Sequence, residues 1–381
     1  RGLGDVYKRQ VNSEVLEARP VQNVSQALQG VVPGLNLSVG NSGGALDSSM
    51  SINIRGAGTI GDGSGSSPLI LIDGIEGDLN SVNPNDIENV SVLKDAASAS
   101  IYGARAAFGV ILVTTKSGKS GKAKVSYNGN VRFSDAIQIP EMVDSYTFAQ
   151  YFNRANTNDG GGLVFDEAAL ERIKNYQTGK YTDPNTPEYY GAKAGNDGKW
   201  QNYTGSFANT DWFKEASKPG LYTNANITYT GSSGRMRSFV MADYYREEGA
   251  IKDFTLDRFT FRSNNDVKFT DRFTMSTKIS GSLSRTDSQQ RSVYNTYLYL
   301  PWDFPYNEDG SIRSGQEQDW RGRDGINDMY DLQWNWSRSK KLTVDGTINF
   351  NYQITDWLRF ESNNYIRYIS NRSESYTDKR S

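Results

Sequence analysis

Four groups of residues have types and spacings that suggest chemistry. Gly56-Ala-Gly58-Thr-Ile-Gly61 fits G-x-G-x-x-G, follows a short apolar alternation, and has Asp73 and Glu76 downstream. That is the outline of a dinucleotide fingerprint. The fingerprint must open a helix whose N-terminus holds pyrophosphate. Here Asp62-Gly-Ser-Gly-Ser-Ser-Pro68 follows, which cannot be that helix and reads as a flexible loop. Gly118-Lys119-Ser120 matches the end of a P-loop, but the pattern needs a Gly five residues earlier and that position is Val113. It reads instead as a polar linker. Asp319, Asp324, Asp328 and Asp331 cluster with Trp320, Trp334 and Trp336. Carboxylates suit calcium, yet the spacing fits no EF-hand loop. Nor does sequence place any two of them at the separation glycoside hydrolysis needs. Solvated loop charge is the plainer reading, with the Trp residues as a sugar-stacking platform or an interface girdle. The fourth group is Arg55, Asp73, Glu76, Lys94, Asp95 and Arg105, the notable charges of the first third. Asp73-Gly74 suits a turn and Asp95 suits a helix cap.

Composition removes other chemistries. The 381 residues contain no Cys and no His, which excludes disulfides, thiol nucleophiles, Cys/His zinc sites and a His base. Lys+Arg number 42 against 44 Asp+Glu, a balance that suggests no nucleic-acid partner. No cofactor site emerges, and no enzymatic activity is expected. Only 36% of residues are hydrophobic, yet 12% are aromatic, and mean hydropathy is −0.65. No run approaches the roughly 18 apolar residues of a membrane helix.

The elements that must position these groups fall in two regions. Of the 7 Trp, 23 Tyr and 16 Phe, only Tyr7, Tyr102 and Phe108 precede residue 122. Residues 1–10 match nothing that follows and read as non-native or unassigned, with the signal peptide missing. Residues 11–121 read as a small α/β domain. Asn23 caps a helix with Gln26 in a capping-box position, and Gly30 ends it. Strands are predicted around Leu35–Val39, Ile52–Ile54, Leu69–Ile72, Val90–Leu93 and Val110–Thr115. Asn83-Pro-Asn-Asp86 opens a helical turn. Asp95 heads an Ala-rich helix from Ala96 to about Ala107.

Residues 122–381 alternate with period two. Seven strands of 10–14 residues are predicted: Ala123–Phe133, Leu221–Thr230, Met236–Arg246, Arg258–Phe269, Arg272–Arg285, Leu342–Ile354 and Trp357–Ser370. Each has one apolar, aromatic face and one polar face. Very short turns at Gly231–Gly234, Thr270-Asp271 and Thr355-Asp356 alternate with long connections at 134–220, 247–256 and 287–341. A helix near Asp166–Tyr176 orders the first of these. Strand length, aromatic content and this alternation favour an antiparallel transmembrane β-barrel over a soluble sandwich. Seven strands cannot close such a barrel, so the expectation is an incomplete barrel, truncated at both ends of the chain.

The first region also carries ordered motifs. Arg19-Pro-Val-Gln-Asn-Val-Ser-Gln-Ala-Leu-Gln-Gly30 through Leu35, Ile52-Asn-Ile-Arg-Gly56, Pro68-Leu-Ile-Leu-Ile-Asp-Gly74, Asn83–Glu88, Val92-Leu-Lys-Asp95, Ile101-Tyr-Gly103-Ala-Arg105-Ala-Ala107 and Gly109–Lys116 follow one another. In that order they resemble the plug domain of SusC/RagA-type TonB-dependent outer-membrane transporters. Asn209-Thr-Asp-Trp212 extends the likeness loosely. The resemblance implies a plug that folds inside a barrel in the outer membrane of a Gram-negative, Bacteroidetes-type cell. It implies a TonB–ExbB–ExbD motor that moves the plug, a SusD-like lipoprotein lid, and an oligosaccharide or peptide as the substrate taken up. It also implies outer-membrane lipid around the wall. Arg55, Gly56, Asp73, Gly74, Lys94, Asp95, Gly103 and Arg105 become the plug signature, as turn and capping residues or as members of a plug–wall ion-pair network. The alternatives are a signalling receptor of the same fold and a secreted β-rich binding protein.

Overall fold

The computed structural model describes residues 8–19, 21, 23–39, 46, 50–54, 67–79, 82–94, 100–135, 140–180, 192–194, 200–202, 208–288, 296–302, 305–306, 310–312, 329 and 333–379.

The first domain is built on a five-stranded sheet. Its strands are β1 (Lys8–Asn12), β4 (Leu69–Ile72), β5 (Ile75–Glu76), β6 (Ile87–Leu93) and β7 (Val110–Thr115), in the order β1-β6-β7-β4-β5. β4 and β7 run parallel with Leu69 opposite Val110; the other pairs are antiparallel. A pair of antiparallel strands, β2 (Leu35–Val39) and β3 (Met50–Ile54), forms a separate two-stranded sheet that packs Leu35, Ile52 and Ile54 into the same core. The helix Val24–Leu28 begins where Asn23 Oδ1 accepts from Gln26 N at 3.0 Å, and Gly30 follows it at φ +73°. Leu16, Val24, Leu28, Leu79, Ile87, Val90, Val92 and Ile111 form the buried core between helices and sheet. Central strands of this kind are continuous apolar runs because both faces are covered.

Two expectations change here. The break expected after Gln10 falls inside β1: Lys8, Arg9 and Gln10 pair with Leu93, Val92 and Ser91. Backbone pairing joins them to the sheet edge: Gln10 and Asn12 are exposed, while Val11 is buried in the core. The helix expected over 96–107 is, over its described part, two 3₁₀ turns, Ser100–Tyr102 and Ala104–Ala106. Gly103 separates them at φ +72°, a left-handed conformation that ends a helical run.

The second region is a single antiparallel sheet of seven strands, in chain order: β8 (Lys124–Ser134), β11 (Gly220–Ser233), β12 (Met236–Glu248), β13 (Thr255–Lys268), β14 (Phe273–Ser288), β15 (Trp336–Gln353) and β16 (Arg359–Tyr376). The seven expected strands are all present, and several are longer than the apolar alternation suggested. β15 begins six residues before Leu342, and β16 runs six past Ser370. Tight turns alternate with long connections. The first long connection holds the helices Ser145–Asn158, Glu167–Gln177 and Trp212–Ala216 and the short pair β9 (Ala192–Ala194) and β10 (Trp200–Asn202). Asp144, Asp166 and Asp211 cap these helices. Trp302, from the connection between β14 and β15, packs with Phe148 and Phe165, so the two long connections share a small core.

The two faces of the wall separate by parity. One face carries Tyr222, Asn224, Asp243, Tyr245, Arg258 and Arg262, all buried, and the first domain lies against it. The other face leaves Tyr127 at 72%, Phe259 at 49% and Ile366 at 72% exposure. Polar groups inside and aromatic or aliphatic groups outside is the inverse of a soluble sandwich and the arrangement of a membrane barrel wall.

Candidate functional site

The polar face of the wall holds the first domain through a small set of charges. Asp73 and Gly74 form the β4–β5 turn at φ +52° and +87°. The Asp73 carboxylate accepts from Thr115 N at 3.1 Å and Thr115 Oγ1 at 2.6 Å, and it meets Lys278 Nζ of β14 at 2.8 Å. Burial alone would raise its pKa. The Lys278 charge, with hydrogen bonds from Lys278 and Thr115, outweighs burial and holds the group below its ordinary value.

A second contact lines the same cleft. Asp86 ends the 3₁₀ turn Pro84–Asp86, which Asn83 caps. Its Oδ2 lies 3.0 Å from Arg262 Nε on β13, with side chains only 1% and 9% exposed. The angle is poor, and neither Asp86 oxygen nor Arg262 Nε makes an aligned hydrogen bond among the described residues. A buried pair so weakly satisfied stabilises little, because desolvation offsets its attraction. Between the two contacts Asn264 Nδ2 donates to Lys116 O at 2.6 Å and to Thr115 Oγ1 at 3.1 Å. Arg367 on β16 donates to Glu76 O at 3.1 Å while pairing with Asp345 at 2.6 Å. Asp73, Asp86, Arg262, Lys278, Asp345 and Arg367 line a narrow cleft of about 60 Å³.

Of the expected signature, Asp73 faces the wall and Gly74 forms its turn. Lys94 instead donates to Pro33 O, and Arg105 pairs with Glu76; both contacts stay inside the first domain. Gly103 is the break between 3₁₀ turns. Arg55, Gly56 and Asp95 lie outside the described residues, as do Gly58, Gly61, Asp319, Trp320, Asp324, Asp328 and Asp331. Gly118-Lys119-Ser120 forms the link into β8. Lys119 N donates to Thr230 Oγ1 at 3.1 Å. A Cβ on Gly118 would come within 2.4 Å of Ser238 N, so the strap lies flush on the wall. Sequence reasoning missed Asp86, Thr115, Arg262, Asn264, Lys278 and Arg367. A period-two pattern marks their strands' polar face but not which polar residue meets a partner.

An α/β domain held by buried charges on the polar face of an antiparallel wall has clear relatives. Residues 6–110 match the TonB-dependent receptor plug domain. TonB-dependent receptor P26 of Formosa agariphila is 30% identical over 315 residues, 81% of this chain and 28% of the relative. TonB-dependent receptor SusC of Bacteroides thetaiotaomicron is 28% identical over 281 residues, 69% of this chain and 24% of SusC. The chain belongs to the SusC/RagA-type TonB-dependent family.

The fold agrees. The RagAB peptide importer in its closed-closed state superposes with a TM-score of 0.77 at 20% identity, over 97% of this chain and 41% of that one. The SusC/RagA-type chain described here thus spans about a quarter of the curated relatives' length. Its plug is the first domain, and its seven-stranded wall corresponds to part of the barrel.

Proposed function

We propose that the protein containing this chain takes up a large nutrient across the outer membrane, with the plug gating the barrel. The observation that carries this reading is the contact between plug and polar wall. It is electrostatic, partly buried and imperfectly satisfied, so it holds the plug in place without fusing it to the wall. A TonB–ExbB–ExbD motor is the energy source this reading requires, and a SusD-like lipoprotein is the lid. The substrate is an oligosaccharide or a peptide: the family resemblance implies one or the other, and RagAB is named as a peptide importer. The protein resides in the outer membrane and acts as a transporter, not an enzyme.

These 381 residues contain no Cys, so once any Cys elsewhere in the full-length protein is replaced, an introduced pair of thiols reports on this contact alone. Thr115→Cys and Asn264→Cys in the full-length protein place two thiols where a 3.1 Å contact now joins plug and wall. Joining them by oxidation or a short thiol cross-linker is expected to abolish growth on the transported nutrient, and reduction of the disulfide form to restore it. Uptake that continues through a cross-linked plug would overturn the gating role.

A further inference from the structure

We propose that the outward face of the wall carries a binding site for an outer-leaflet lipid bearing a phosphate on its headgroup. The inference rests on the reading that this face meets lipid, and it concerns residues that touch neither plug nor lumen.

The cross-strand registers sort the outward face into layers. One row reads Tyr244, Phe259, Leu283, Leu342 across β12 to β15. Two residues further along each strand, toward the long connections, the row reads Arg246, Asp257, Arg285, Lys340, Arg372 across β12 to β16. Beyond it lies Glu248, Thr255, Asp287, Arg338, Glu374. An apolar row, a cationic row and an acidic row therefore follow one another at the rim that faces the outer side.

The cationic row is costly as it stands. Arg285 lies directly opposite Lys340, and Lys340 directly opposite Arg372. Like charges facing each other across strands destabilise a sheet. The acids beyond relieve only part of this. Asp287 pairs with Arg285 and, at 2.7 Å, with Arg338; Glu374 pairs with Arg372 at 2.5 Å; Glu248 and Asp257 hold Arg246 at 3.3 and 3.4 Å. Lys340 has no ion-pair partner among the described residues, and the Arg372 side chain is 76% exposed. Neighbouring strands lie about 4.8 Å apart, so Arg285, Lys340 and Arg372 crowd into about 10 Å. A single phosphate can bridge such a group, since guanidinium and phosphate match as bidentate partners.

The occupant is identified by what lies beneath. Leu283 and Phe259 are each 49% exposed immediately below the cations, and Val344 continues the apolar surface at 38%. A soluble anion would leave this surface bare. A phosphorylated lipid fits both layers at once, with its phosphate on the cations and its acyl chains along the apolar strip.

The test uses the full-length protein in mild detergent, titrated with a phosphorylated, acylated glucosamine disaccharide and with its dephosphorylated form. Bound lipid is read by native mass spectrometry. The triple variant Arg285→Gln, Lys340→Gln, Arg372→Gln is expected to lose at least about tenfold in affinity for the phosphorylated probe, given what each surface cation contributes near anionic lipid. The dephosphorylated probe should bind wild type and variant alike. Equal affinity of the two proteins for the phosphorylated probe overturns the proposal. If the triple variant does not fold, Lys340→Gln alone should still weaken that probe severalfold, and an unchanged value is equally fatal. Failure of the protein to fractionate with outer membranes would instead overturn the barrel reading itself.

Discussion

Replacing Arg262 by Gln tests whether Arg262 compensates the buried charge of Asp86. Asp86 is almost fully buried, and Arg262 Nε at 3.0 Å is the cation that compensates its charge. Removing one partner of a buried pair leaves an uncompensated charge and costs about 3–5 kcal/mol. At about 1.4 kcal/mol per factor of ten, the plug's open population should rise by two to three powers of ten or more. Hydrogen exchange of the full-length protein reads this directly. Amides of β6 and β7 should lose protection together, because the plug core opens as a unit, while β13 and β14 keep theirs. The double variant Asp86→Asn, Arg262→Gln removes both charges from a pair that makes no aligned hydrogen bond. It should return protection to within about 1 kcal/mol of wild type, as replacing both partners of a buried pair is often neutral. If Arg262→Gln leaves β6 and β7 as protected as before, or if the double variant is no better than the single, Arg262 does not compensate the buried charge of Asp86.

Three further outcomes follow from other parts of the structure. Asp73 has a lowered pKa, so its stabilisation is complete above its ordinary value of 3.8 and is lost as pH falls through the lowered one. Plug protection measured against pH should therefore fall on acidification below about 4, and Lys278→Gln should flatten that fall. Gly109 sits at φ +95°, and a Cβ there would meet Ile54 Cδ1 at 2.8 Å and Leu93 O at 3.0 Å. Gly109→Ala should cost at least about 1–2 kcal/mol, seen as a lower urea midpoint for the plug. Asn153 is buried and joins Val164 N, Phe165 N and Phe165 O. Asn153→Ala strands those backbone groups at about 1–3 kcal/mol and should speed limited proteolysis between residues 158 and 167 without altering the wall.

The wall was legible because one face is apolar and exposed and the other is polar and lies against the plug, and that contrast writes itself as alternation. The pattern faded before the strands did. Arg338 and Lys340 on β15, and Arg372 and Glu374 on β16, occupy outward positions above the apolar band, so charge replaces apolar side chains while the hydrogen-bond ladder continues. β1 was illegible for a related reason: a strand can add to a sheet edge by backbone alone. In the contact itself, Asp73 was legible as a turn residue of notable charge. Lys278 and Arg262 were not, because their selection depends on which strand the plug rests against, and that is a property of two regions about 200 residues apart.

The arrangement of β1, β6 and β7 also sets how the plug bears load. β1 and β7 flank β6 and run in the same direction. The chain leaves β7 at Thr115 and Lys116, where Asn264 ties it to the wall. Traction applied upstream of Lys8 enters at the Leu93 end of β6, while the tether resists at the Ile87 end. The force therefore runs along the strands. The ladder is sheared, with its hydrogen bonds sharing the load, and is not peeled one rung at a time. In such a geometry the sheet is the stiff member and the plug–wall contacts are the weaker ones, so a steady pull draws on Asp86–Arg262 before it unravels β1.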